Sequence, residues 1–128
     1  EGEVVGKSKG ITDVKVNQNL ILHSSDTDTN DDKKVMVAVR PENIIFSNQS
    51  FVSSIRNQLK GIVTDIILIG PTVWVEVDVN GTTFKGIITP SSLDILGIKK
   101  EKEIYLSFKS VNVKIIDEEQ SYSALFSA

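Results

Sequence analysis

The chain has 128 residues, 40% of them hydrophobic and 24% charged, a size and balance that fit one folded domain or two small lobes and exclude a disordered chain. A formal net charge of −3 with only 6% aromatic residues argues against a dedicated nucleic-acid binder, which needs a basic face with stacking platforms. Zero cysteines exclude a disulfide scaffold, a thiolate metal site and a thiol nucleophile.

Strand patterns dominate from the start. "GEVVGK" and "GITDVKV" are short, β-branched and separated by glycine-containing turns, and "NLILH" follows. "SSDTDTNDDKK" has no apolar residue and reads as an exposed hairpin loop. "KVMVAVRPENIIF" resumes the strand pattern, with Val35, Val37 and Val39 on one face, until Arg40-Pro41 breaks it. Residues 47–52 read as the join between two lobes. "LKGIVTDIILIG" is a strand turning at Gly70-Pro71, and its apolar run 66–69 is far shorter than the ~20 residues a bilayer span requires. In "TVWVEVDVNGTTFKGIIT", four valines alternate with Trp74, Glu76 and Asp78, and Asn80-Gly81 supplies the positive φ angles of a tight hairpin. "PSSLDILGIKK" is the one helix, with Pro90 in its first turn and Gly97 as its C-cap. "EIYLSF" and "VNVKII" close the pattern, joined at Lys109-Ser110. About five strands with one helix between the third and fourth predict an all-β, OB-like Greek-key barrel, with a second, smaller β lobe before it. The strand 59–69 becomes apolar on both faces after Asp65, and Trp74 points away from its valine neighbours. Both features predict a second buried face, covered by another subunit or by the other lobe.

No catalytic constellation emerges. His23 is a lone imidazole on a short strand and reads as a surface residue. The acidic run Asp26, Asp28, Asn30, Asp31, Asp32 lacks the glycine and the closing glutamate of a calcium loop and follows a strand, so it reads as a solvated tip. What remains is anion chemistry. Ser54 and Arg56 are two apart on an extended segment and leave it on the same side, offering a hydroxyl and a rigid fork of N–H donors. Asn57 adds donors on the opposite side or locks the backbone. Lys109-Ser110 forms a second cluster at a strand break, where backbone N–H groups can also face an anion. Two positive charges, Arg56 and Lys109, would match a tetrahedral dianion, while Lys60 reads as solvated.

"SIRNQLKGIV" resembles the opening of the molybdate/tungstate-binding, molbindin-like (TOBE/MOP) domain, whose pattern runs Ser-x-Arg-Asn-x-Leu-x-Gly-x-Val. The resemblance continues through "ITPSSLDILGIKKEKEIYLSFKSVNVKII", with Glu101 standing where a turn glycine is common. "EGEVVGKSKGITDVKV" and "VMVAVRPENIIF" are similar to the regulatory extension that follows the nucleotide-binding domain in ABC-transporter ATPases. The resemblance implies a TOBE-like lobe over 1–48, a molbindin-like barrel over 49–117 and a tail over 118–128. It implies a piece of a longer chain, the regulatory end of a molybdate or tungstate importer's ATPase subunit, cytoplasmic at the inner face of the membrane. Carried over by position, the oxyanion ligands are Ser54, Arg56, Asn57, Lys109 and Ser110, at an interface between subunits of a homodimer. No catalytic residue and no metal site are implied, except for the metal carried inside the oxyanion. The further partners implied are the ATPase domain of the same chain and the transporter permease, with no nucleic acid. The alternative is a scaffolding TOBE domain that binds a protein partner and no oxyanion.

Overall fold

The computed structural model describes residues 2–26 and 34–117. Most of the polar loop expected after His23, and the tail 118–128, lie outside the described residues. The elements in chain order are β1 (Gly2–Ser8), β2 (Ile11–Asn17), β3 (Leu20–Ser24), β4 (Lys34–Val39), β5 (Ile45–Ser47), β6 (Asn57–Ile69), β7 (Thr72–Val79), β8 (Thr82–Ile88), α1 (Pro90–Leu96), β9 (Glu103–Phe108) and β10 (Val113–Asp117). The fold is all-β with one short helix, as the alternation of small β-branched strands and turns predicts. Two compact units result, one built on β1–β4 and β10, the other running from Arg40 to Phe108.

In the first unit the strand order is β10-β4-β1-β2-β3. Val4, Val14 and Val35 fill its interior, with Val16, Val37 and Ile115 packed against them. Its two edge strands meet through three hydrogen bonds. Ser24 Oγ donates to the Val113 carbonyl at 2.6 Å, the Ser25 N–H to the Ser110 carbonyl at 3.0 Å, and the Ile115 N–H to Asp26 Oδ2 at 3.0 Å. The sheet thereby satisfies edges that would otherwise stand open.

In the second unit the order is β5-β9-β6-β7-β8. Val73, Val75, Val77 and Val79 all point inward and are buried, joined by Val63, Phe84, Ile104, Leu106 and Phe108. The rings of Phe84 and Phe108 lie 6.0 Å apart, tilted by 35°. Asn80 and Gly81 take φ values of 50° and 92°, giving the predicted tight turn between β7 and β8. Thr89 Oγ1 accepts the Ser92 N–H at 3.1 Å to start α1, and Gly97 ends it in the left-handed conformation at φ 64°. The Lys102 ammonium donates to the Leu96 carbonyl at the helix end.

The sheets divide the chain differently from the lobes 1–48 and 49–117 expected from sequence. β5 leaves the first lobe to pair with β9, and β10 leaves the second to pair with β4. The physical reason is a repeat that local pattern conceals. The two strand orders are the same when β1, β2, β3, β4 and β10 are set against β6, β7, β8, β9 and β5. Gly2 opposite Val35 corresponds to Gly61 opposite Ile104, and Glu3 opposite Lys34 to Ile62 opposite Glu103. The register shift between Val4 and Gly6 has its counterpart between Val63 and Asp65. Each unit thus takes its fifth strand from the chain that has just left the other. Both crossings are a 3-10 turn, Pro41–Asn43 and Ser110–Asn112, entered by Arg40 and Lys109 with matching backbone angles.

Candidate functional site

Ser54 and Arg56 lie on the segment 51–56 that leads into β6, and Asn57 is that strand's first residue. The segment has no helix or strand of its own, so side chains shape it. Ser53 Oγ accepts the Ile55 N–H at 3.0 Å, a hydroxyl-closed turn. Gln58 reaches back from β6: its Nε2 donates to the Phe51 carbonyl at 2.6 Å and its Oε1 accepts the Phe51 N–H at 3.1 Å. One amide therefore satisfies both backbone groups of Phe51, as a neighbouring strand would.

That clasp leaves Ser54 and Arg56 exposed, and among the described residues neither side chain makes a hydrogen bond or ion pair. An unpaired guanidinium beside a free hydroxyl is the donor set a tetrahedral oxyanion takes. Asn57 differs: it is buried, in register with Phe108. Phe51 and Val52, both exposed, belong to the same segment and give it apolar surface.

Lys109 and Ser110 belong to the first unit, whereas Ser54, Arg56 and Asn57 belong to the second. Lys109 follows Phe108 directly, is exposed, and enters the 3-10 turn Ser110–Asn112, where the Asn112 N–H donates to the Lys109 carbonyl at 2.9 Å. The break between the last two strands is therefore a crossing between sheets. The equivalent crossing carries Arg40 and Pro41, and Pro41 offers neither a hydroxyl nor an N–H.

The other candidates have partners. Lys60 Nζ lies 3.0 Å from Glu103 Oε2 across the β6–β9 pair, and the hydrogen bond and charge of Glu103 raise its pKa. His23 Nδ1 lies 2.7 Å from Asp13 Oδ1, its register partner. Among the described residues, no group of three or more metal-ligating side chains converges. Gln58, which holds the segment in place, carries no signal in the sequence, because its role depends on Phe51 seven positions earlier.

Comparison with known proteins gives the same direction. Residues 53–115 match the TOBE domain. Over 82 residues the chain is 43% identical to the molybdate/tungstate import ATP-binding protein WtpC of Pyrococcus abyssi, and 35% identical to its counterpart in Pyrococcus horikoshii. Each match covers 64% of this chain and 24% of the relative, so the chain spans about a quarter of the length of these curated relatives. Among solved structures, a crystal structure of the cytoplasmic molybdate-binding protein ModG with molybdate bound aligns over 91% of this chain and 92% of its own, at a TM-score of 0.80 and 19% identity. At that identity the likeness is one of fold, an OB-like one. The match to the TOBE domain thus runs over residues 53–115, just under half of the chain.

Proposed function

We propose that this chain is the cytoplasmic regulatory portion of a molybdate or tungstate importer's ATP-binding subunit, and that it senses the transported oxyanion. The observation that carries the reading is the pair Ser54 and Arg56, exposed and without a partner among the described residues, on a segment that Gln58 holds in place at the start of the TOBE match. Lys109 and Ser110 supply the remaining donors, from a second copy of the chain in a homodimer. The similarity to molybdate/tungstate import proteins supports the substrate class. ATP hydrolysis belongs to the ATPase domain of the full-length subunit, and this portion acts by binding.

The chemistry needs no catalytic group. Each charge-assisted hydrogen bond contributes about 1.5–3 kcal/mol. Several such donors hold a dianion firmly once the apolar surface of Phe51 and Val52 is covered and water is excluded. Feedback requires only that the oxyanion bind a clamped pair of regulatory portions more tightly than an open one, which stabilises the clamped state by the same factor. High cytoplasmic oxyanion then holds the ATPase domains apart and shuts transport at the permease.

The test is calorimetric titration of the purified chain with molybdate, tungstate and sulfate. Heat with the two metal oxyanions supports the reading; no response to either overturns it, and a dimer that ignores both would favour the scaffolding role. Arg56→Ala should weaken binding ~10- to 150-fold, the value of one charge-assisted hydrogen bond. Lys60→Ala, which removes an exposed ion pair with Glu103, should stay within about twofold. Equal effects would place the site elsewhere.

A further inference from the structure

The internal repeat makes the outward face of the second unit conspicuous. In the first unit, Asp13 and His23 face each other across β2 and β3 and are hydrogen bonded at 2.7 Å. Their counterparts in the second unit are Glu76 and Lys85, directly opposite across β7 and β8. Among the described residues, no ion pair joins Glu76 to Lys85, and Lys85 makes no hydrogen bond. Glu76 Oε1 accepts from Thr64 Oγ1 at 3.1 Å.

Beside these two charges the hairpin is longer than its counterpart. β1 and β2 close at Lys9-Gly10 after the pair Ser8 and Ile11, whereas β6 and β7 continue past the equivalent Ile67 and Trp74 through Leu68–Val73 and Ile69–Thr72. The extension exposes apolar surface: Ile67 is 47% exposed, Leu68 70% and Ile69 52%. Ile67, Ile69, Trp74 and Val75, together with Glu76 and Lys85, line a groove of about 260 Å³.

We infer that this face, the elongated β6–β7 hairpin with Glu76 and Lys85, is a two-fold docking surface for a second copy of this chain. A patch with opposite charges side by side is complementary to itself. Rotated by a two-fold axis, each Lys85 meets the other copy's Glu76, and the apolar groove is covered between them. The first unit has closed its equivalent pair and shortened its hairpin; the second has left both available. The contact lies at the end of β6 opposite Arg56 and uses none of the proposed oxyanion ligands, so it is an interface between copies separate from the one proposed at those ligands and does not rest on the proposed function.

Sedimentation of the full chain in oxyanion-free buffer tests this. The unaltered chain should dimerise. Glu76→Lys alone and Lys85→Glu alone should each weaken the dimer at least tenfold, because like charges then meet twice across the axis. Mixing the two variants should restore association as a heterodimer, since every cross-axis pair is again of opposite sign. That rescue also shows that both variants are folded. A monomeric unaltered chain, a dimer indifferent to both reversals, or a mixture that stays monomeric would each overturn the inference.

Discussion

At the scale of single residues, charge and partnership decide which side chains are available. Lys60 and Arg56 are both cations near the start of β6, but Glu103 takes the first and nothing described takes the second. The Lys60 pKa is raised by that carboxylate. Its contribution is therefore complete below the ordinary lysine value and is lost only as pH climbs through the raised one, which leaves stability around neutral pH insensitive to it. Glu101 is the clearest local strain. It stands where the resembled pattern commonly has glycine, and its φ is 71°, a conformation in which an L side chain crowds the backbone. Its N–H nevertheless donates to the Val63 carbonyl at 2.7 Å, a bond that glycine would keep. Glu101→Gly should raise stability by about 0.5–1 kcal/mol, seen as a higher melting temperature with unchanged oxyanion affinity. The position of this strain was legible in the sequence as a departure from the resembled pattern.

At the scale of elements, the hairpins and the helix follow from local chemistry. Alternating valines set the inward face of β7, Asn80-Gly81 sets its turn, and Thr89 and Gly97 bound α1. Close approach between strands is a different matter. A Cβ on Gly61 would lie 2.6 Å from Val77 Cγ1 and 2.7 Å from the Asp78 carbonyl oxygen, so only glycine lets β7 cross β6 there. Gly61→Ala should destabilise the fold by about 1–3 kcal/mol, measurable by denaturant unfolding, because backbone must move to admit the methyl group. Gly2 meets Val14, Lys15 and Val16 in the same way. That correspondence is the repeat at its most physical, and it is invisible in sequence because few side chains are shared. The apolar run 66–69 was legible as a second face. In the structure Ile67, Leu68 and Ile69 are 47%, 70% and 52% exposed.

At the scale of the whole molecule, the exchange of fifth strands governs what can be separated. A fragment of residues 49–117 contains β10 without β4 and β9 without β5, so two ladders lose their partners. It should show no cooperative thermal transition by circular dichroism, whereas the full chain should; a cooperatively folded fragment would count against the topology. The same exchange assigns the two halves of the candidate site to different units, although Lys109 follows the last residue of β9 without interruption. The sequence by itself determined the strands, their inward faces, the turns and helix caps, and it supplied the residue types proposed to hold an oxyanion. Those depend on side chains within a few positions of one another. Only the tertiary structure decided which sheet β5 and β10 join, that Gln58 holds the segment bearing Ser54 and Arg56, and that Lys60 is already paired. The strand pairings and the Lys60–Glu103 pair join groups tens of residues apart, and the Gln58 clasp spans seven positions, so alternating hydrophobicity allows each more than one partner and only the folded sheets select one.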